Sequence, residues 1–208
     1  MMVHPVPSWP LCVIDTETTG LMDDPEARVI EVGAVVMTRE GEQIGSFSTL
    51  VRHEPALVTP TPAQQAALDI SGIDPADLQD APTPVRAAAR FRLWFSAFPE
   101  RPRLTAWRLP FDPTMLERTG MPLFRGRRQA ECVHAAARKV LGDGGAEHGP
   151  SLRYAATQLG IDVPDDRHRA LVDARLAAQV AVALERHVRR NVFMSLVAER
   201  ELRRGGRP

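Results

Sequence analysis

Lysine is almost missing from this chain of 208 residues: Lys139 is its one instance, and arginine carries the rest of the positive charge. Cysteine is nearly as scarce. Cys12 and Cys132 lie far apart and form no C-x-x-C pair. That excludes a disulfide scaffold, gives no sign of a structural zinc site, and makes a reducing cytoplasm the expected location. No run approaches the roughly 18 uncharged apolar residues that suggest a membrane span. No early positive charge precedes an apolar run, so no secretory leader is expected. H-E-x-x-H is absent, and His4, His53, His134, His148 and His187 have no ligand spacing, which removes a zinc hydrolase. No glycine-rich loop leads into Lys and Ser/Thr, so a nucleoside triphosphatase is unsupported. There is no internal repeat and no interdomain linker.

What is present suits one globular domain. The chain is 44% hydrophobic and 25% charged, too apolar for a disordered segment. Its 26 basic and 26 acidic residues cancel, but they are unevenly placed. Residues 15–31 hold six acids and one base, Arg28. Residues 101–128 hold seven arginines against two acids, and residues 185–208 seven against three. Bidentate phosphate-binding groups thus stand near an acidic centre in the sequence. Arg101, Arg103, Arg125, Arg127 and Arg128 form the densest positive neighbourhood, and some are expected to flank a cleft.

Along the chain, residues 1–10 hold three prolines and read as an arm. Residues 11–14 form an apolar run that ends in Asp15 and Glu17, the pattern of a buried central strand. Residues 28–37 and 43–51 read as two further strands, joined by a turn at 39–42, which makes an antiparallel meander. Helices are expected over 61–70, 84–98, 110–118, 131–141 and 152–159, with a short strand at 104–107. Pro84 opens one helix and Ser151 caps another. An alanine-rich helix covers 169–189, and Asn191 is expected to cap a separate final helix to about Arg203. The order β-β-β-α-β-α-α is that of an α/β protein with a mixed sheet.

Three places carry chemistry. Asp15 and Glu17 are two apart on a strand, so both side chains fall on one face. Paired carboxylates that are buried need a shared proton or a cation. Hard oxygen ligands of this kind suit Mg²⁺ or Mn²⁺. Asp112 follows a strand and sits near a helix start; taken alone, it reads as an ordinary first-turn acid. His168 and Asp173 would not share a face if both were helical. They converge only if His168 lies in the loop before the helix.

Together these segments resemble the DEDDh exonuclease family, the DnaQ-like group that includes proofreading subunits and ribonuclease T. The first motif is Val13-Ile14-Asp15-Thr16-Glu17-Thr18-Thr19-Gly20-Leu21. The second is present in part as Ala106-Trp107-Arg108-Leu109-Pro110-Phe111-Asp112. The third is His168-Arg169-Ala170-Leu171-Val172-Asp173-Ala174. Val29-Ile30-Glu31-Val32-Gly33-Ala34-Val35, Ser71-Gly72-Ile73 and the stretch 151–161 extend the likeness to about residues 11–185.

The resemblance implies a ribonuclease H-like fold, a central mixed β-sheet flanked by helices. It implies an arm over 1–10, an exonuclease domain over 11–190, and a C-terminal helix and basic tail over 191–208 packed on or extending from that domain. It also implies a 3′→5′ exonuclease with two divalent metal ions, Mg²⁺ or Mn²⁺, releasing nucleoside 5′-monophosphates from nucleic acid, with DNA the expected substrate. Asp15, Glu17, Asp112 and Asp173 would be metal ligands, with Asp15 bridging, and His168 the general base. Thr18, Trp107, Arg108 and Phe111 are substrate-binding candidates. The expected partner is a single-stranded or frayed 3′ end of DNA, with RNA as a further substrate class; a DNA polymerase or a second copy of the chain are candidate protein partners, and no membrane is involved. Two alternatives stand beside this reading: an RNA 3′-end-processing exoribonuclease of the same family, and a non-catalytic nucleic-acid- or polymerase-binding module on the same fold.

The chain departs from the family pattern in two places. Trp107-Arg108 stands where relatives usually carry His-Asn, and Ser71-Gly72-Ile73 where they carry His-Gly-Ile. Arg108 could contact phosphate and Trp107 could stack on a base, or the pair could be a core tryptophan beside a surface arginine.

Overall fold

The computed structural model describes residues 9–53, 60–165 and 168–205. Most of the arm expected over 1–10 and the last residues of the tail lie outside them. Four strands form one sheet in the order β3-β2-β1-β4. They are β1 (Leu11–Thr18), β2 (Val29–Met37), β3 (Gln43–Leu50) and β4 (Arg103–Ala106). β1 pairs antiparallel with β2 and parallel with β4, and β2 pairs antiparallel with β3. The sheet is therefore mixed, with a meander of three strands and one strand returning through a helical crossover.

The helices are α1 (Pro62–Ser71), α2 (Pro84–Ser96), α3 (Phe111–Arg118), α4 (Val133–Leu141), α5 (Leu152–Gln158) and α6 (Ala170–Gly205). Thr61 caps α1 in a reciprocal capping box with Gln64, and Ser151 caps α5 by accepting from the Tyr154 amide. A short 3-10 turn, Pro75–Leu78, was not expected. α6 also differs from the expectation. It runs through residues 189–191 without a break, so Asn191 lies inside a helix of 36 residues and caps nothing. Arg189, Arg190 and Asn191 are poor stop signals beside Gly or Pro, and nothing in the backbone pattern ends the helix there.

Strand alternation sorts the core into two layers. Leu11 and Val13 of β1 join Val35 and Met37 in a cluster with α4, α5 and α6. Cys12 and Ile14 join Ala34 and Val36 in a cluster with α2 and α3. β2 is buried along its whole length, which explains why it is apolar except at Glu31. Against β3, α2 presents Phe91 and Trp94, both with ring centres 5.5 Å from Phe47. No described helix is long and apolar enough to cross a membrane.

Candidate active site

The same alternation that sorts the core sorts the acids. Asp15 and Glu17 continue the Leu11–Val13 series and face α6. Thr16 continues the Cys12–Ile14 series and faces α3. Asp173 lies in the first turn of α6. Asp15, Glu17 and Asp173 each offer an oxygen, and these oxygens lie within 4.8 Å of one another. Asp112 reaches the strand from the other layer. It is buried in the first turn of α3 and accepts a hydrogen bond from Thr16 Oγ1 at 2.9 Å. Three of the four expected acids thus form one cluster, and Asp112 abuts it across the end of β1.

His168 lies in the loop before α6, the one placement that lets it meet Asp173. Its Nδ1 is 2.9 Å from Asp173 Oδ2, and its ring is 52% exposed. With a carboxylate as acceptor, Nδ1 is the ring nitrogen engaged by Asp173, which leaves Nε2 for another partner.

Burial without compensation shows in the acidities. Burial pushes Asp15 well above the ordinary carboxylate range, and the charges of Asp112, Asp173, Glu17 and Glu31 push it further. Glu17 rises to about 7, mainly through burial, with Asp173 and Glu31 adding to it and His168 and Arg169 opposing. Burial likewise raises Asp112 to about 7, against the Thr16 hydrogen bond. Three carboxyl groups that resist ionisation together, with hard oxygen donors converging, fit a divalent cation.

The motifs did not single out the residues that hold this cluster in place. Glu31, directly opposite Glu17 on β2, is 1% exposed. It accepts from Arg169 Nε at 3.0 Å, Arg169 Nη2 at 2.8 Å and the Ala170 amide at 3.1 Å. Gly33, opposite Asp15, lets α6 touch the sheet: a Cβ there would sit 2.2 Å from Ala170 C and Leu171 N. A lone glutamate inside an otherwise apolar strand was the available signal, since such a charge needs a partner.

The substrate-binding candidates divide. Thr18 borders a groove of about 560 Å³ with Glu17, Leu21, Ala63, Ala67 and Ile70. Arg108 and Phe111 border a second groove of about 510 Å³ with Leu21, Met22 and His134. Trp107 does not line either. It is 9% exposed, packs in the α4–α6 core, and meets the His134 ring edge-on at 5.4 Å. Of the two roles open to Trp107, this burial agrees with the core one, because its position at the end of β4 turns the indole inward.

The expected arginine neighbourhood is also misplaced. Arg103 pairs with Leu11, at the end of β1 away from Asp15 and Glu17. Arg127 lies over the Phe95 ring at 5.1 Å, and Arg125 is bound to Glu117. Strand direction, which sequence density cannot show, puts Arg101, Arg103 and Arg128 at the far end of the sheet.

The exonuclease family model RNase_T matches residues 12–100, a span that contains Asp15 and Glu17 and stops short of Asp112. The nuclease domain of 3′hExo, a DEDDh family member bound to rAMP, superposes with a TM-score of 0.71 at 18% identity, over 88% of this chain and 95% of that one. The four acids and the histidine of the three motifs stand together at the end of β1 on that fold. Residues 12–100 are thus similar to the exonuclease family, and the chain shares the fold of the DEDDh nuclease domain. Its ribonuclease H-like fold is shared with other solved structures. Exonuclease X in complex with 5′ overhanging duplex DNA has a TM-score of 0.61 at 21% identity, over 85% of this chain and 92% of that one. Among curated proteins, a DNA polymerase III subunit epsilon-like protein of Rhodobacter capsulatus is 31% identical over 182 residues, 86% of this chain. The chain spans 24% of the length of that relative.

Proposed function

We propose that the chain is a cytoplasmic, divalent-metal-dependent 3′→5′ exonuclease that acts on DNA and releases nucleoside 5′-monophosphates. The observation that carries this reading is the convergence of Asp15, Glu17 and Asp173 within 4.8 Å beside His168. A phosphodiester is anionic, and carboxylates alone would repel it. Divalent ions bound there would reverse that charge and polarise the phosphate. Asp15, Glu17 and Asp173 would hold one ion. Asp15 with Asp112 would hold a second across the strand end, as electrostatic contact between these two acids supports. His168 is exposed, and with Nδ1 held by Asp173 its Nε2 would take a proton from the attacking water, while Asp173 orients its ring. The groove beside Glu17 is lined by Ala63, Ala66 and Ala67 and opens past exposed Leu21 and Ile70, a surface suited to the flat apolar face of a nucleobase.

The names of similar proteins support the substrate class: one structure holds duplex DNA with an overhang, and the curated relative is called polymerase-subunit-like. On the latter basis we include a DNA polymerase among the partners of this chain. The test is stepwise shortening of a 5′-labelled single-stranded DNA with a free 3′ hydroxyl. We expect a ladder with Mg²⁺ or Mn²⁺, none with chelator, and none when the 3′ end is blocked. Digestion of the blocked strand would overturn the polarity, and digestion in chelator would overturn the metal requirement. An RNA strand of matching sequence in the same assay reads out the choice of nucleic acid.

A further inference from the structure

A second polar cleft, of about 750 Å³, lies away from the acids and is lined by Arg52, Asp80, Pro82, Thr83, Arg86 and Arg90. Three arginines against one aspartate make it the most basic of the described clefts. Arg86 and Arg90 are exposed and four apart on α2, so their side chains stand one above the other on a single face. Arg52 is held over them from the other side: its amide donates to Pro82 O at 3.0 Å and its Nη1 to Gln79 O at 3.2 Å.

Strand direction places this cleft relative to the active site. β3 runs the same way as β1, because both are antiparallel to β2. Glu17 is opposite Glu31, and Glu31 is opposite Leu50. Arg52 follows Leu50 by two residues. The cleft therefore opens at the same end of the sheet as Asp15 and Glu17, two strands across and toward the α2 layer rather than the α6 layer, at least about 10 Å away at the usual strand spacing. A stacked single strand carries one phosphate about every 3.4 Å, so three to five nucleotides, roughly, cover that distance.

Resting on the exonuclease reading above, we infer that Arg52, Arg86 and Arg90 form a phosphate track for the nucleic-acid strand a few nucleotides from the 3′ end being cut. The planar guanidinium groups suit bidentate contact with successive phosphates and carry no base preference. The cleft holds the body of the substrate while the acids hold its end. It sets how long a substrate must be to bind well.

The test compares a dinucleotide with a single-stranded DNA of 15 or so nucleotides. The protein is the full chain, and the variants are Arg86→Ala/Arg90→Ala and Arg86→Lys/Arg90→Lys. Binding of the longer strand is followed by fluorescence anisotropy over a salt series, in the Asp15→Asn background so that nothing is cut. With Asp15 intact, the alanine pair should raise KM for the longer strand about tenfold relative to the dinucleotide; in the Asp15→Asn background it should flatten the salt slope of binding by roughly 1.4 for two lost phosphate contacts. The lysine pair should keep most of that slope. Both positions are exposed on a helix, where alanine is well tolerated, so loss of folding is not the expected cause of a change. If the unaltered chain cuts and binds DNA but the alanine pair keeps its KM ratio and salt slope, the track is overturned and the cleft falls to an acidic protein partner. If the unaltered chain neither cuts nor binds, the exonuclease reading itself fails.

Discussion

His168 shows how much a single residue's placement decides. On the helix it would have pointed about 140° away from Asp173, five residues along at 100° each. Two residues before the helix start, its Nδ1 lies 2.9 Å from Asp173 Oδ2. Asp173 is then both a cluster acid and the group that orients the base. His168→Ala should lower kcat by roughly 10²–10⁴ with little change in KM, as loss of a general base does. The same variant should flatten the acidic limb of the pH–rate profile. Steady-state rates on a short oligonucleotide across the pH range check both, and an unchanged acidic limb would assign the base role elsewhere.

Among the elements, β2 and the start of α6 matter most, although neither carries an acid of the central cluster except Asp173. β2 holds α6 by two devices. Glu31 takes three hydrogen bonds from Arg169 and the Ala170 amide, and Gly33 leaves room for the Ala170–Leu171 backbone. Both grip the start of the helix within four residues of Asp173 and within three of His168. In Gly33→Ala the added Cβ would meet main chain, which cannot swing aside as a side chain can. We expect a loss of about 1–3 kcal/mol by denaturant unfolding and a fall in kcat, as the helix start is pushed outward. Glu31→Gln keeps the shape and one acceptor but removes the charge. Its loss of stability should be smaller than for a fully buried ion pair, because Arg169 remains 44% exposed and can turn to water. A Gly33→Ala protein as stable and active as the unaltered chain would show that α6 has slack at this contact.

At the scale of the whole molecule, the acidic cluster is a liability for the metal-free fold. Asp15 stands well above its ordinary value, and Glu17 and Asp112 are each raised to about 7. A carboxyl with a raised pKa in the folded state holds its proton more tightly there than in the unfolded chain. Its contribution is fully present below about pH 4, where unfolded carboxyls titrate, and is lost as pH rises through about 7. In chelator, the melting temperature should therefore fall between about pH 5 and pH 8. At about pH 8, added Mg²⁺ or Mn²⁺ should raise it again, because ions bind the folded cluster and not the dispersed chain. Asp15→Asn removes one of the mutually repelling charges. It should melt higher than the unaltered chain in chelator at that pH and gain less from added metal. Calorimetry on the two proteins, with and without metal, decides this; a lower metal-free melting point for Asp15→Asn would show that the site is already relaxed without an ion.

Much of this was legible in the order of residues. The period-two spacing of Asp15 and Glu17 at the end of an apolar run put both on one face, and the strands, the mixed sheet and most helix boundaries followed from alternation, caps and turns. Those features depend on neighbours a few residues away, which a sequence displays directly. What the sequence could not show depends on which way strands run and which elements meet. Trp107 could be a stacking platform or a core residue, and packing decided for the core, while the arginines near the second motif looked close to the acids until strand direction put several of them at the opposite end. Arg86 and Arg90 drew no notice because they stand far from every motif in sequence and reach the same end of the sheet only through β3 and α2. Glu31 and Gly33 were visible as residues, but their work depends on a helix that begins well over a hundred positions later. Contacts of that separation are decided by packing, since a buried charge or a missing Cβ takes its meaning from what is pressed against it.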